Sequence, residues 1–188
     1  MDIKKFKENL GLTIIPSELE KLINFQNNNS SFGNYSECFG VGIDDKSGLK
    51  TWSEESSFLH KLYPFAQANG SGSFYAIWND GTDKPINKMP IVVFGDEGGV
   101  HVVAENMLQL LHLLTFDTEI SVDFDEAYFY KDQDNYEESE DLNEFLNWLK
   151  EDYGLNQIQE PDDIIHTAQE KYKNTFDRWF ATYYDDEE

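Results

Sequence analysis

Ser73-Phe74-Tyr75-Ala76-Ile77-Trp78, then Pro90-Ile91-Val92-Val93-Phe94, then Val100-His101-Val102-Val103 across Gly95-Asp96-Glu97-Gly98-Gly99, is the stretch whose reading decides the fold. The first run is aromatic and β-branched and is closed by Asn79-Asp80-Gly81, so it predicts a strand. The second is apolar without interruption, which predicts an inner strand buried on both faces. The glycines between the second and third runs supply the positive-φ positions of a hairpin loop. Upstream, Tyr63-Pro64-Phe65-Ala66 leads into the turn Asn69-Gly70-Ser71-Gly72.

Helical periodicity surrounds this block. Ile3, Phe6 and Leu10 recur at helical spacing and Gly11 stops that helix. Pro16 opens a second helix in which Ser17 and Glu20 have the spacing of a capping box, with Leu19, Leu22, Ile23 and Gln26 on its face. A polar loop is expected over 27–31. Gly33, Gly40, Gly42 and Gly48 then limit residues 32–52 to short elements, read as strands over 38–43 and 49–52. Residues 104–114 predict a helix burying Met107, Leu108, Leu111 and Leu114. Residues 116–125 alternate and predict a strand with its apolar face at even positions and acid at odd ones. After an acidic connection, Leu142, Phe145, Leu146, Leu149 and Tyr153 mark a helix stopped by Gly154. Pro161 begins the last helix, with Asp162 and Asp163 at its positive end and Ile164, Ile165, Ala168, Tyr172, Phe176, Trp179 and Phe180 on its apolar side. The order predicts one α+β domain over 1–188, an antiparallel or mixed central sheet flanked by helices, with an acidic tail at 185–188.

The charge is lopsided. Residues 1–94 hold 11 Asp and Glu against 9 Lys and Arg, whereas residues 95–188 hold 26 against 5. Like charge concentrated this way destabilises a compact state, so it implies solubility or a basic partner. It argues against nucleic acid and against anionic lipid, whose phosphates need Lys and Arg. No run approaches the length of a membrane span, and Met1 to Leu10 lacks the apolar core of a signal peptide. The single cysteine, Cys38, excludes an internal disulfide framework and fits a reducing cytoplasm.

The order of several stretches resembles the SUKH superfamily, named after the fungal Smi/Knr cell-wall synthesis regulators and including bacterial immunity proteins of polymorphic toxin systems. The stretches are Ile15-Pro16 running into Leu19 to Gln26, Gly70-Ser71-Gly72-Ser73-Phe74-Tyr75-Ala76-Ile77-Trp78, and Pro90-Ile91-Val92-Val93-Phe94-Gly95-Asp96-Glu97-Gly98. They continue with Val102-Val103-Ala104-Glu105-Asn106 before Leu110-Leu111, and with Phe145-Leu146-Asn147-Trp148-Leu149-Lys150 before Tyr153-Gly154-Leu155. Residues 27–62 lie outside the likeness. It implies a SUKH-like fold and a binding scaffold without a shared enzymatic activity or cofactor. The function it implies is a cytoplasmic immunity protein that binds a basic toxin domain, such as a nuclease. The alternative is a regulatory scaffold whose protein partner is not a toxin.

The candidate contact residues are Asp117, Glu119, Asp123, Asp125, Glu126, Asp132, Asp134, Glu137 and Glu138. The first four invite three readings: a docking face, a solvated edge strand whose charges block aggregation, or a metal site. Residues 132–141 fail as an EF-hand loop, because Glu137 stands where the sharp turn needs glycine. His60, His101, His112 and His166 form no zinc-protease pair, and the glycine loops lack the ending of a phosphate loop. His112 is expected to be part-buried and satisfied, Cys38 to be an inert thiol without basic neighbours, and Phe74, Tyr75, Trp78 and Phe94 to belong to the sheet. A hydrolase built on carboxylates would need two of them in one concave pocket with pKa values pushed apart.

Overall fold

The computed structural model describes residues 1–42 and 46–184. Its centre is β4 (Ile91–Phe94), whose four residues are all buried. β4 pairs antiparallel with β3 (Phe74–Trp78), Phe74 opposite Phe94 and Ile77 opposite Ile91. On its other edge it pairs with β5 (Val100–Ala104) through the glycine hairpin, Phe94 opposite Val100. The sheet continues outward through β2 (Leu62–Gln67) to β1 (Gly40–Val41), giving the antiparallel order β1-β2-β3-β4-β5.

The two-residue period of the strands divides the core into two layers. Tyr75, Ile77, Ile91 and Val93 pack with α1 (Ile3–Leu10), α2 (Ser17–Asn28), α5 (Met107–Leu114) and α6 (Leu142–Tyr153). Ala76, Trp78, Val92 and Phe94 face a second cluster built on Ala168 and Phe176 of α7 (Asp162–Phe180). The short α3 (Ser47–Lys50) and α4 (Ser56–Leu59) add Leu49 and Phe58 to it. The fold is α+β, with a central antiparallel sheet between helices, as the sequence predicts.

Gly11 and Gly154 end α1 and α6 in the left-handed conformation expected of them. Several local expectations need correction. Ser17 and Glu20 form no capping box: the N-cap is Pro16, Ser17 Oγ bonds Glu18, and Glu20 pairs with Lys7. α2 runs through Asn28 into the expected polar loop. Residues 49–52 lie in and after α3 rather than in a strand; Leu49 is buried, and Trp52 packs against Phe94 and Phe180. So short an apolar run has no period that could tell the two apart. The strand expected at 38–43 shrinks to β1, with its Ile43 end outside the described residues. The tail at 185–188 also lies outside them. The stretch that leads into the Asn69–Gly72 turn is itself a full strand, β2, and Pro64 sits beside a register shift between Pro64 and Ala66.

Residues 116–125 are not one strand. Asp117 has φ +57°, which breaks an extended backbone, and only β6 (Ile120–Val122) follows. The chain turns back at once: Asp123 N–H donates to the Glu126 carbonyl at 2.9 Å. β7 (Ala127–Phe129) then pairs with β6, Ile120 opposite Phe129 and Val122 opposite Ala127. The acidic region is therefore a hairpin. Its Ile120, Ala127 and Phe129 enter the core, and Phe129 N–H donates to Asp162 at the start of α7.

Candidate functional site: an acidic hairpin and its loop

Between residues 117 and 138 the chain carries nine carboxylates and one cation, Lys131. Asp117 is separate from the other eight because it is fully buried. Its Oδ1 accepts from Glu37 N–H at 3.1 Å, and its Oδ2 accepts from Tyr136 Oη at 2.6 Å and Ser139 N–H at 3.0 Å. Three otherwise separate segments meet on this one side chain, which satisfies donors that burial would leave costly. The Tyr136 phenol is pushed up by burial and by this hydrogen bond, so it remains a donor. Asp117 is thus a structural fixture under the acidic loop, which corrects its assignment to a contact face.

Above it lies a cleft of about 420 Å³ whose lining includes Glu37, Glu119, Tyr130, Lys131, Asp132 and Glu137. Four carboxylates against one ammonium give it a formal charge of −3. Glu119 is held by Gly70 N–H, which donates to its Oε2 at 2.7 Å, while its own N–H donates to Glu37 Oε2 at 3.3 Å. Asp132 shapes the loop by accepting from Asp134 N–H at 3.1 Å and Asn135 Nδ2 at 2.7 Å. The Asn135 bond leads the causes that hold the Asp132 carboxyl below its ordinary value. Lys131 is drawn back onto aromatic rings, 3.7 Å from the Tyr136 centroid and 4.7 Å from that of Phe116, and burial lowers its pKa.

The remaining expected residues lie elsewhere on the same segment. Asp123, Asp125 and Glu126 are exposed at the hairpin turn, while Asp134 and Glu138 are exposed on the loop. The structure thus gathers Glu119, Asp132 and Glu137 in the cleft and sets Asp123, Asp125 and Glu126 at the tip, rather than lining one strand face. Phe124, expected on the apolar face, is exposed at the same tip. The tip is fastened by buried His101, whose Nε2–H donates to the Asp123 carbonyl at 2.7 Å.

Glu37, Tyr130 and Tyr136 were not anticipated. Glu37 arrives from a segment with no readable period, and long-range pairing leaves no local signal. His112 bonds the Asn156 carbonyl at 3.1 Å and is half-buried, as expected. The Cys38 thiol is pushed up to about 11 by burial and then by Glu119, so it stays protonated at neutral pH and is a poor nucleophile. Among the described residues, no group of three or more His, Cys, Asp or Glu could hold a metal ion. No helix there is long and apolar enough to cross a membrane.

Comparison with protein-family models, curated proteins and solved structures finds no match for this chain.

Ion pairs join Lys7 to Glu20, Lys21 to Asp152, Lys84 to Asp80 and Lys173 to Asp177. Among the described residues none reaches the segment 117–138. With Lys131 as the segment's one cation, its nine carboxylates project a net negative field that can attract cations.

Proposed function

We propose that this protein is a non-catalytic binding protein of the cytoplasm, of SUKH type, that neutralises a basic toxin domain by covering it with the acidic hairpin and loop. The observation that carries the reading is the segment 117–138: all of its carboxylates except Asp117 lie outside the core, without ion pairs among the described residues. A nuclease is the favoured class of toxin, because its substrate surface is already selected to bind phosphates and would accept a field of the same sign. The resemblance of the glycine turn, strand and helix stretches to the SUKH superfamily, which includes toxin-immunity proteins, supports the same direction.

The test is to purify the products of the open reading frames flanking the gene, mix each with the protein, and co-express each pair. A complex at low salt that weakens with added salt, together with rescue of growth, is the expected result. No complex and no rescue would remove the toxin reading.

A further inference from the structure

Phe124 is 72% exposed and Tyr130 68% exposed, and both fall within the most acidic part of the chain. Chance exposure of single apolar residues is ordinary. Here, however, two exposed aromatic rings bracket one two-stranded hairpin. Tyr130 stands three residues beyond Ala127, roughly 10 Å along the strand from the base of the turn that carries Phe124.

Phe124 is also held in place. Its ring lies over Gly98, where an added Cβ would come within 2.5 Å of it. The Asp123 carbonyl sits so close to Gly99 that a Cβ there would be 2.0 Å away. With the His101 hydrogen bond and the closed turn from Asp123 to Glu126, the tip is docked onto the β4–β5 loop. On one flank, Phe124 borders a cleft of about 380 Å³ whose lining includes Trp52, Phe180 and Tyr184. Tyr130 borders the acidic cleft beside Asp132 and Glu119. Aromatic side chains ordered before binding and ringed by polar groups are the usual anchors of protein interfaces, because little entropy remains to be lost.

We propose that the β6–β7 hairpin is the docking element, with Phe124 at its tip and Tyr130 at its far end as its two anchors. The partner it fits is a basic protein that offers apolar sockets between lysine or arginine side chains. Charge complementarity selects the class: anionic ligands are repelled by Asp123, Asp125, Glu126 and Asp132, and a small free cation has no use for two rings so far apart. Arginine serves both features, pairing with carboxylates and stacking on the rings. The inference rests on the basic-partner reading above and adds where contact is made and by what chemistry.

The test uses the full chain and two octapeptides of equal charge, one alternating arginine with leucine and one alternating arginine with serine. Anisotropy gives the affinities and amide chemical shifts give the site. The arginine–leucine peptide is expected to bind about tenfold more tightly, with shifts centred on 119–130. The double substitution Phe124→Ser with Tyr130→Ser should erase that advantage and bring the two peptides to equal affinity, with the far-UV circular dichroism of the wild type retained. Equal affinity of the two peptides, shifts centred outside the hairpin, or an unchanged double variant overturns the surface. The same variant mixed with the products of the flanking genes separates the two readings. Toxin that binds both forms alike removes the anchors and keeps neutralisation; toxin that binds neither, while the peptide maps to the hairpin, keeps the surface and removes the toxin.

Discussion

In the β3–β4 pair, Tyr75, Ala76, Ile77 and Trp78 are all buried, and helices cover both sides of the sheet. In the β6–β7 pair, Ile120, Ala127 and Phe129 face the core, while Ser121 and Tyr128 are only half-buried and the turn is exposed. The first region is fixed by apolar burial on two faces, where a slip of one residue would exchange the two cores. The second is fixed by Ile120, Ala127 and Phe129 on one face only, together with a few polar contacts from Asp117, Glu119 and His101. On the proposed reading the carboxylates of this region must stay in water, so hydrogen bonds from below add to the apolar contacts of its one buried face.

The largest effect should come from breaking the apolar region. Trp78 packs edge-on to Phe176 at 5.0 Å and against Trp179 at 5.5 Å. Trp78→Ala is expected to cost about 4 kcal/mol. For a chain of 188 residues that corresponds to a fall in melting temperature of about 10 °C, read by calorimetry.

Asp117 tests the polar region. Asp117→Ala strands Glu37 N–H, Ser139 N–H and the Tyr136 hydroxyl and places alanine at a positive φ, so about 3 kcal/mol should be lost. Asp117→Asn keeps an acceptor and tolerates the backbone, and should lose about half as much. Faster amide exchange confined to 130–141 would show that the loop, rather than the sheet, loosens first. Equal loosening of β3 and β4 would deny the division between the two regions.

His101 gives a smaller, pH-dependent effect. Burial lowers its pKa below the ordinary 6.5, so the native state favours the neutral ring. The unfolded chain then binds more protons, and the His101 contribution to stability is complete above pH 6.5 and is lost as pH falls below it. Between pH 6.5 and 5.5 the loss is at most about 1.4 kcal/mol. Urea midpoints should drop over this range in the wild type and drop less in His101→Gln. Parallel curves would show that the ring does not secure the hairpin tip.

This contrast also explains what could be read from sequence. β3, β4, the glycine hairpin and the stops at Gly11 and Gly154 were legible because each follows from local chemistry or a short period. Asp117 was misread because alternation of acid and apolar residues looks the same whether a chain runs straight or turns back after three residues. Its positive φ and its partners at Glu37, Tyr136 and Ser139 are long-range facts. The same limit hid β7, the exposure of Phe124 and the place of Glu37 in the acidic cleft. Among the nine carboxylates, the identity of the segment was readable, but its division into fixture, cleft and tip was not.

The central claim is that the carboxylates of the hairpin and loop draw in a basic protein. The most direct measurement is the stopped-flow association rate of the arginine–leucine octapeptide at increasing ionic strength. It would compare the wild type with a variant carrying Asp123→Asn, Asp125→Asn, Glu126→Gln, Asp132→Asn and Glu137→Gln. The wild-type rate should fall steeply with salt as the Debye length shrinks below roughly 8 Å, and the variant, folded as before, should associate at least about tenfold more slowly with a nearly flat salt profile. Coincident rates and slopes for the two proteins would contradict the claim.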